Sequence, residues 1–203
     1  MSRVQVVALP RFAVVDLETS GFSTRRNRIL QIGLVVVDAE GIIHDRWSSL
    51  IALRWPLGRV GATDVHGISR ASLKGAPQLN DALDQLGQRL DGALLTAHNA
   101  RFDGGFLLRA SRQRPESDPV WASAAQPLCT LRMSRKLDPD RKRSHRLADL
   151  AEHYDVPLER AHDAAADAEA TALILPHLLA EHQIESPNQL DRFRVDPSEH
   201  TAR

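Results

Sequence analysis

The sequence predicts an α/β domain, a mixed sheet with helices packed on it. Three observations carry that expectation: an opening series of Val- and Ile-rich segments, an amphipathic helical repeat from Leu79, and a short apolar segment between helical stretches. Segments 12–17 (FAVVDL), 29–38 (ILQIGLVVVD) and 41–51 (GIIHDRWSSLI) read as strands, and the turn signal Asp38-Ala39-Glu40-Gly41 makes the last two an antiparallel hairpin. Apolar residues at Leu79, Ala82, Leu83, Leu86 and Leu90 follow the i, i+3, i+4, i+7 spacing of a helix, with Asn80 or Asp81 as its N-cap. Residues 93–99 (ALLTAHN) are short enough for a strand. A helix follows through 102–112, another carries Leu147, Leu150, Ala151 and Tyr154 ahead of Pro157, and the last runs from Asp163 to Leu179. No repeat is present, and the Ala-rich run at 164–172 reflects helix propensity.

A chain of 203 residues that is 42% hydrophobic can bury one sizeable core. Its single cysteine, Cys129, excludes an internal disulfide framework, and no apolar run is long enough to span a bilayer. The opening MSRVQVVALPRF lacks the features of a signal peptide and is read as mature sequence, so a cytoplasmic location is expected. Lys plus Arg and Asp plus Glu both number 26, so a nucleic-acid partner would have to be met by a local patch rather than by net charge.

In VVDLETSGF, Asp16 and Glu18 stand two apart at the end of a strand and therefore point to one face. An isolated Asp-x-Glu most often marks a strand end facing solvent. A further acid, Asp103, falls where an apolar strand gives way to a helix, and another, Asp167, lies within AHDAAADAEA. Were the four carboxylates to converge, they would raise one another's pKa and be tolerable only with cations present. Oxygen ligation selects hard ions, Mg²⁺ or Mn²⁺, and a pair of them is a recurring device for in-line attack on phosphodiesters. His162 and Asp167 would lie about 140° apart on one helix. His162 is therefore expected in the loop before that helix, with Asp163 as N-cap, where an imidazole could take a proton from an attacking water.

The segments DLETSG, HNARFDGGFL and HDAAADA stand in the order and character of the three exonuclease motifs of the DEDDh family, and the chain resembles the 3′ to 5′ exonucleases related to the epsilon proofreading subunit of bacterial DNA polymerase III. RILQIGLVVVD, VHGIS and HRLADLAEHYDVPLERAHDA are landmarks of the same likeness, which covers about residues 11 to 180. The resemblance implies a ribonuclease H-like fold over an exonuclease domain at 1–182, with a tail at 183–203 that is mobile or docks a partner. It makes Asp16, Glu18, Asp103 and Asp167 the ligands of two divalent cations and His162 the general base. It implies hydrolysis of DNA 3′ ends to nucleoside 5′-monophosphates, in proofreading or repair. Trimming of RNA is the alternative with the same chemistry; a catalytically idle binding module would have lost a carboxylate or His162, and none is lost.

Thr19 and Ser20 are expected to hold the terminal 3′-hydroxyl, His66 to lie beside the terminal nucleotide or else to be a satisfied turn histidine, and His98 and Asn99 to organise the loop of the second motif. Phe22 would stack on the terminal base or simply pack, Phe102 and Phe106 read as core, and Gly104 and Gly105 suggest close backbone packing. The run 131–146, with Arg132, Arg135, Lys136, Arg141, Lys142, Arg143 and Arg146 against Asp138 and Asp140, is the candidate backbone-binding patch or a solvated loop; Arg25, Arg26 and Arg28 form a second set. In the tail, Gln189, Leu190, Asp191 and Phe193 resemble the sliding-clamp-binding motif of bacterial replication proteins, from which Arg192 departs. The other reading is a short helix capped by Asn188, with Leu190 and Phe193 packed on the domain.

Overall fold

In the computed structural model, which describes residues 8–53, 59–61 and 63–198, five strands form one sheet. They are β1 (Phe12–Thr19), β2 (Ile29–Val37), β3 (Ile43–Leu50), β4 (Leu94–Ala97) and β5 (Leu128–Cys129), in the order β3-β2-β1-β4-β5. The first three are antiparallel neighbours, while β4 pairs parallel to β1 and β5 parallel to β4. The sheet is mixed, as expected, and the hairpin turn is held by the Asp38 carboxylate, which accepts the N–H groups of Glu40 and Ile42.

Alternation along β1 divides the core. Phe12 and Val14 enter one cluster, and Ala13, Val15 and Leu17 enter the other. On the first side lie α5 (Thr130–Leu137), α6 (Leu147–His153) and α7 (Ala164–Glu181); on the second lie α2 (Leu79–Leu90), α3 (Ala100–Ser111) and α4 (Pro119–Ala124). A four-residue helix α1, Thr63–His66, precedes α2. Each fully buried Leu or Phe in these clusters contributes about 1.5–3 kcal/mol of transfer free energy. No helix among the described residues is long and apolar enough to cross a membrane.

Several expectations need correction. α2 begins at Leu79 with Gln78 at the N-cap position, because Asn80 and Asp81 already lie within the helical turn. The basic run is half helix: α5 buries Thr130, Met133 and Ser134, and only from Asp138 onward does the chain loop. Of the opening residues 1–12 read as mature sequence, 1–7 lie outside the described residues.

The expected mobile or docking tail is also revised. Pro187–Phe193 forms a 3-10 helix, and Leu190 and Phe193 are buried in the α7-side core. Gln189 caps this helix: its side-chain oxygen accepts the N–H groups of Glu185 at 2.7 Å and Ser186 at 2.9 Å. Arg194 then bridges to Leu128, and Val195 N–H donates to the Pro127 carbonyl, covering the β5 edge. The side chains that a clamp would read are thus engaged within the domain, as in the packed alternative, except that Ser186 and not Asn188 stands at the N-cap; residues 199–203 lie outside the described part. Phe193→Ala is expected to destabilise the fold by about 3–5 kcal/mol, the usual cost of truncating a buried aromatic, read as a lowered urea midpoint. A midpoint equal to that of the unaltered chain would restore the free-tail reading.

Gly104 meets the expectation of close packing, since a Cβ there would lie 2.7 Å from Pro197 Cγ; Gly105 has ordinary room, with Thr24 at 3.4 Å.

Candidate active site

Asp16 and Glu18 project from the end of β1 on the face of Phe12 and Val14, towards α7, while Leu17 between them enters the opposite core. β4 runs parallel to β1, so the helix that follows it opens beside the end of β1. Asp103 lies in the first turn of that helix, α3, and is 4% exposed.

Asp167 comes from the first turn of α7. What lets α7 approach is Gly33 on β2, the register partner of Asp16: a Cβ at this position would fall 2.0 Å from the Ala164 carbonyl oxygen. No motif marks Gly33, although a glycine within a Val- and Ile-rich strand signals such an approach. Gly33→Ala is expected to cost about 1–3 kcal/mol of stability or more and to lower turnover together with it, because the displaced helix carries Asp167. Wild-type denaturation and turnover would show that the helix can retreat without disturbing the acids.

His162 occupies the turn before α7, as expected, at a φ of 66°. Its backbone N–H donates to Asp167 Oδ2 at 3.1 Å, which holds a residue other than glycine in the left-handed region. Asp163 caps α7 as expected, accepting from Ala165 at 3.0 Å and Ala166 at 3.3 Å. Glu18, His162 and Asp167 each offer a ligand atom, and these atoms all lie within 4.8 Å of one another.

The acids perturb each other strongly. Burial, then the charges of Asp103, Asp167, Glu18 and Asp163, push Asp16 well above the usual carboxylate range. Burial followed by Asp167, Asp103 and Asp163 raises Glu18 to about 8. Asp103 rises to about 7 through burial, even though backbone N–H groups oppose the shift. Asp167 is raised by burial against the pull of His162. Its Oδ1 is buried without a hydrogen-bond partner. A divalent cation would satisfy that oxygen and offset the repulsion, so the donor set fits one.

The acids lie in a cleft of about 330 Å³. Phe22, 88% exposed, forms part of its wall, with its ring 6.4 Å from that of Phe102. Phe102, expected in the core, packs half-buried against it and also faces this cleft, whereas Phe106 is buried. Val65 and Leu147 also line it, and Asp163 adds its charge; none of the three was marked by a motif position for this part.

The expected substrate contacts divide. Thr19 lines the cleft, with its hydroxyl donating to the Gly21 carbonyl at 2.8 Å. Ser20 does not: its N–H donates to the Arg28 carbonyl and its hydroxyl oxygen accepts the Arg28 N–H at 3.0 Å, so it holds the loop instead of a 3′-hydroxyl. His66 is a satisfied turn histidine that also lines the cleft, with Nδ1 accepting from Ile68 at 3.0 Å and Nε2 donating to the Val60 carbonyl at 3.2 Å. His98 likewise spends both nitrogens, on the Thr130 hydroxyl at 3.0 Å and the His145 carbonyl at 2.9 Å. Burial pushes it down to about 4, so it is neutral there. Asn99 lines the cleft at the head of α3, and Arg25, Arg26 and Arg28 are exposed on the loop after β1.

The chain is similar to bacterial replicative polymerases over most of its own length. It is 33% identical over 172 residues to the DNA polymerase III PolC-type of Lacticaseibacillus paracasei, covering 83% of this chain and 11% of that protein. It is 34% identical over 165 residues to the PolC-type polymerase of Streptococcus thermophilus, covering 81% and 11%. The chain therefore spans about a tenth of the length of these relatives. Among solved structures, Exonuclease X in complex with 5′ overhanging duplex DNA superposes with a TM-score of 0.66 at 23% identity, covering 90% of this chain and 98% of that one. The nuclease domain of 3′hExo, a DEDDh family member bound to rAMP, gives 0.71 at 12% identity, covering 85% and 93%. Such likenesses show the shared ribonuclease H-like fold. The profile of the Exonuclease family (RNase_T) matches residues 13–175, which takes in every acid of the cleft, and the chain belongs to that family.

Proposed function

We propose that this chain is a divalent-cation-dependent 3′ to 5′ exonuclease that releases nucleoside 5′-monophosphates from DNA 3′ ends. One observation carries the reading: Asp16, Glu18, Asp103 and Asp167, from three separate elements, face one cleft with His162 beside them and with a carboxylate oxygen left unbonded. Asp16, Glu18, Asp103 and Asp167 hold two cations, Mg²⁺ or Mn²⁺. When bound, these supply the positive charge that polarises the scissile phosphate and the attacking water. His162 accepts the proton of that water from its place on the exposed turn, and its backbone bond to Asp167 ties the base to the acids. Phe22, Val65 and Phe102 offer an apolar wall to the terminal base. The PolC-type relatives support a role in proofreading or repair beside a replicative polymerase, with a cytoplasmic location.

The test is digestion of single-stranded DNA and matched RNA, labelled at the 5′ end, with Mg²⁺, Mn²⁺ or EDTA. The expected result is a ladder shortened from the 3′ end, nucleoside 5′-monophosphate as product, preference for DNA, and no cleavage in EDTA. Faster cleavage of RNA would transfer the reading to an exoribonuclease, and cleavage that persists in EDTA would remove the cations from the mechanism.

A further inference from the structure

Four cationic side chains lie on α5 and the 3-10 helix. Arg132, Arg135 and Lys136 share one side of α5 at i, i+3 and i+4 spacing, and Arg192 meets them from the 3-10 helix. Arg132 Nη1 donates to the Arg194 carbonyl at 2.7 Å, and Lys136 Nζ donates to the Arg192 carbonyl at 3.3 Å. Lys136 and Arg192 both lie over the Phe193 ring, 5.0 Å and 4.8 Å from its centroid. Among the described residues none of the four forms an ion pair with a carboxylate, whereas Arg46, Arg89, Arg114 and Arg194 each do. Their closeness has a cost: partial burial, then the charges of Arg132 and Arg192, lower the Lys136 ammonium below its ordinary value. A chain with as many acids as bases has nonetheless left this face cationic.

The strip starts at the cleft wall. α5 begins at Thr130, whose hydroxyl bonds His98, a lining residue, and the Arg135 charge is felt at that imidazole. From Arg132 to Lys136 the helix rises by about 6 Å, so the cations lead away from the wall as a row.

We propose that Arg132, Arg135, Lys136 and Arg192 bind phosphates of the nucleic-acid strand upstream of the 3′ end that occupies the cleft. The proposal rests on the nuclease reading above. Guanidinium and ammonium groups suit phosphate oxygens. An acidic protein segment is the weaker fit, since protein interfaces centre on apolar anchors, and here Phe193 is fully buried beneath the cations. The C-terminal segment, beyond the family match at 13–175, then has a defined role: it supplies Arg192 and the two carbonyls that aim Arg132 and Lys136.

Fluorescence anisotropy of a labelled thymidine oligomer in EDTA, across a salt series, tests this with the triple variant Arg132→Gln, Lys136→Gln, Arg192→Gln. Each lost phosphate contact lowers the log–log salt slope by about 0.7, so the slope should fall by about 2 and low-salt affinity by about tenfold or more. Hydrolysis of a dinucleotide in Mg²⁺, too short to reach the strip, should stay unchanged. Arg132→Lys with Arg192→Lys, which keeps the charges, should retain the unaltered slope. An unchanged slope and affinity in the triple variant overturns the proposal and leaves an acidic protein as the occupant. Should that variant fail to fold, Arg135→Gln at an exposed position decides alone, with an expected slope loss of about 0.7. If the unaltered protein cleaves neither dinucleotide nor oligomer with any divalent cation, the nuclease reading fails, while the salt slope still judges the strip.

Discussion

Asp16→Asn is expected to remove nuclease turnover while raising the melting temperature of the cation-free protein. Asp16 sits where β1 ends, among Asp103, Asp167 and Glu18, and its carboxylate is both desolvated and repelled. Losing a cation ligand forfeits about 4 kcal/mol or more of transition-state stabilisation, which is a thousandfold or more in rate. The stability effect has the opposite sign. A carboxyl whose folded pKa is raised keeps its proton longer when folded, so the stability it contributes is full below its unfolded pKa and is lost as pH rises through the folded one. For Glu18 that window runs from 4.5 to about 8, and for Asp103 from 3.8 to about 7. Without cations the unaltered chain should therefore melt lower at pH 8 than at pH 5. The asparagine, carrying no charge, flattens this slope, and Mg²⁺ should restore the unaltered chain far more than the variant. Thermal melts in EDTA and in Mg²⁺ at both values, beside turnover of a labelled strand, make the comparison. A variant with near-normal turnover and the same pH slope would take Asp16 out of the cluster.

His162→Ala is expected to lower turnover by about 10²- to 10⁴-fold, the range for loss of a general base, with KM and cation affinity little changed. The left-handed turn is kept by the backbone bond to Asp167, which the alanine side chain does not remove, so the acids should stay in place. Activity should recover in part at high pH, where hydroxide needs no base. The imidazole also lies within 4.8 Å of ligand atoms on Glu18 and Asp167, so a second outcome is informative. If turnover returns fully at saturating cation while cation affinity falls, His162 is a ligand and its role as base is lost.

Much of this protein follows from local rules. Alternation of side chains along β1 was enough to set Asp16 and Glu18 on one face with Leu17 on the other. A 140° offset between residues 162 and 167 sets His162 ahead of α7 rather than on it, and N-cap preference sets Asp163 at its start. The hairpin, α2 and α7 were legible because period and turn chemistry act over a few residues. What the sequence by itself determined is thus the order of β1 to β4 and of α2, α3, α6 and α7, and the shared face of Asp16 and Glu18, whereas the short β5, α4 and α5 carry no pattern long enough to mark them.

Only the tertiary structure decided how near those acids come. Their convergence depends on Gly33, whose missing side chain admits the Ala164 carbonyl, a contact between residues 131 positions apart that no local pattern records. Ser20 looked fit to hold a substrate until its N–H was found engaged by Arg28. Phe102 packs against the core as its sequence suggests, and its place at the head of α3 also exposes it on the cleft wall. The tail matched a docking pattern because Gln189, Leu190 and Phe193 are also what a capped 3-10 helix with a buried face requires. Hydrogen-bond capacity and apolar area can each be spent once, and which partner takes them is settled when distant segments pack.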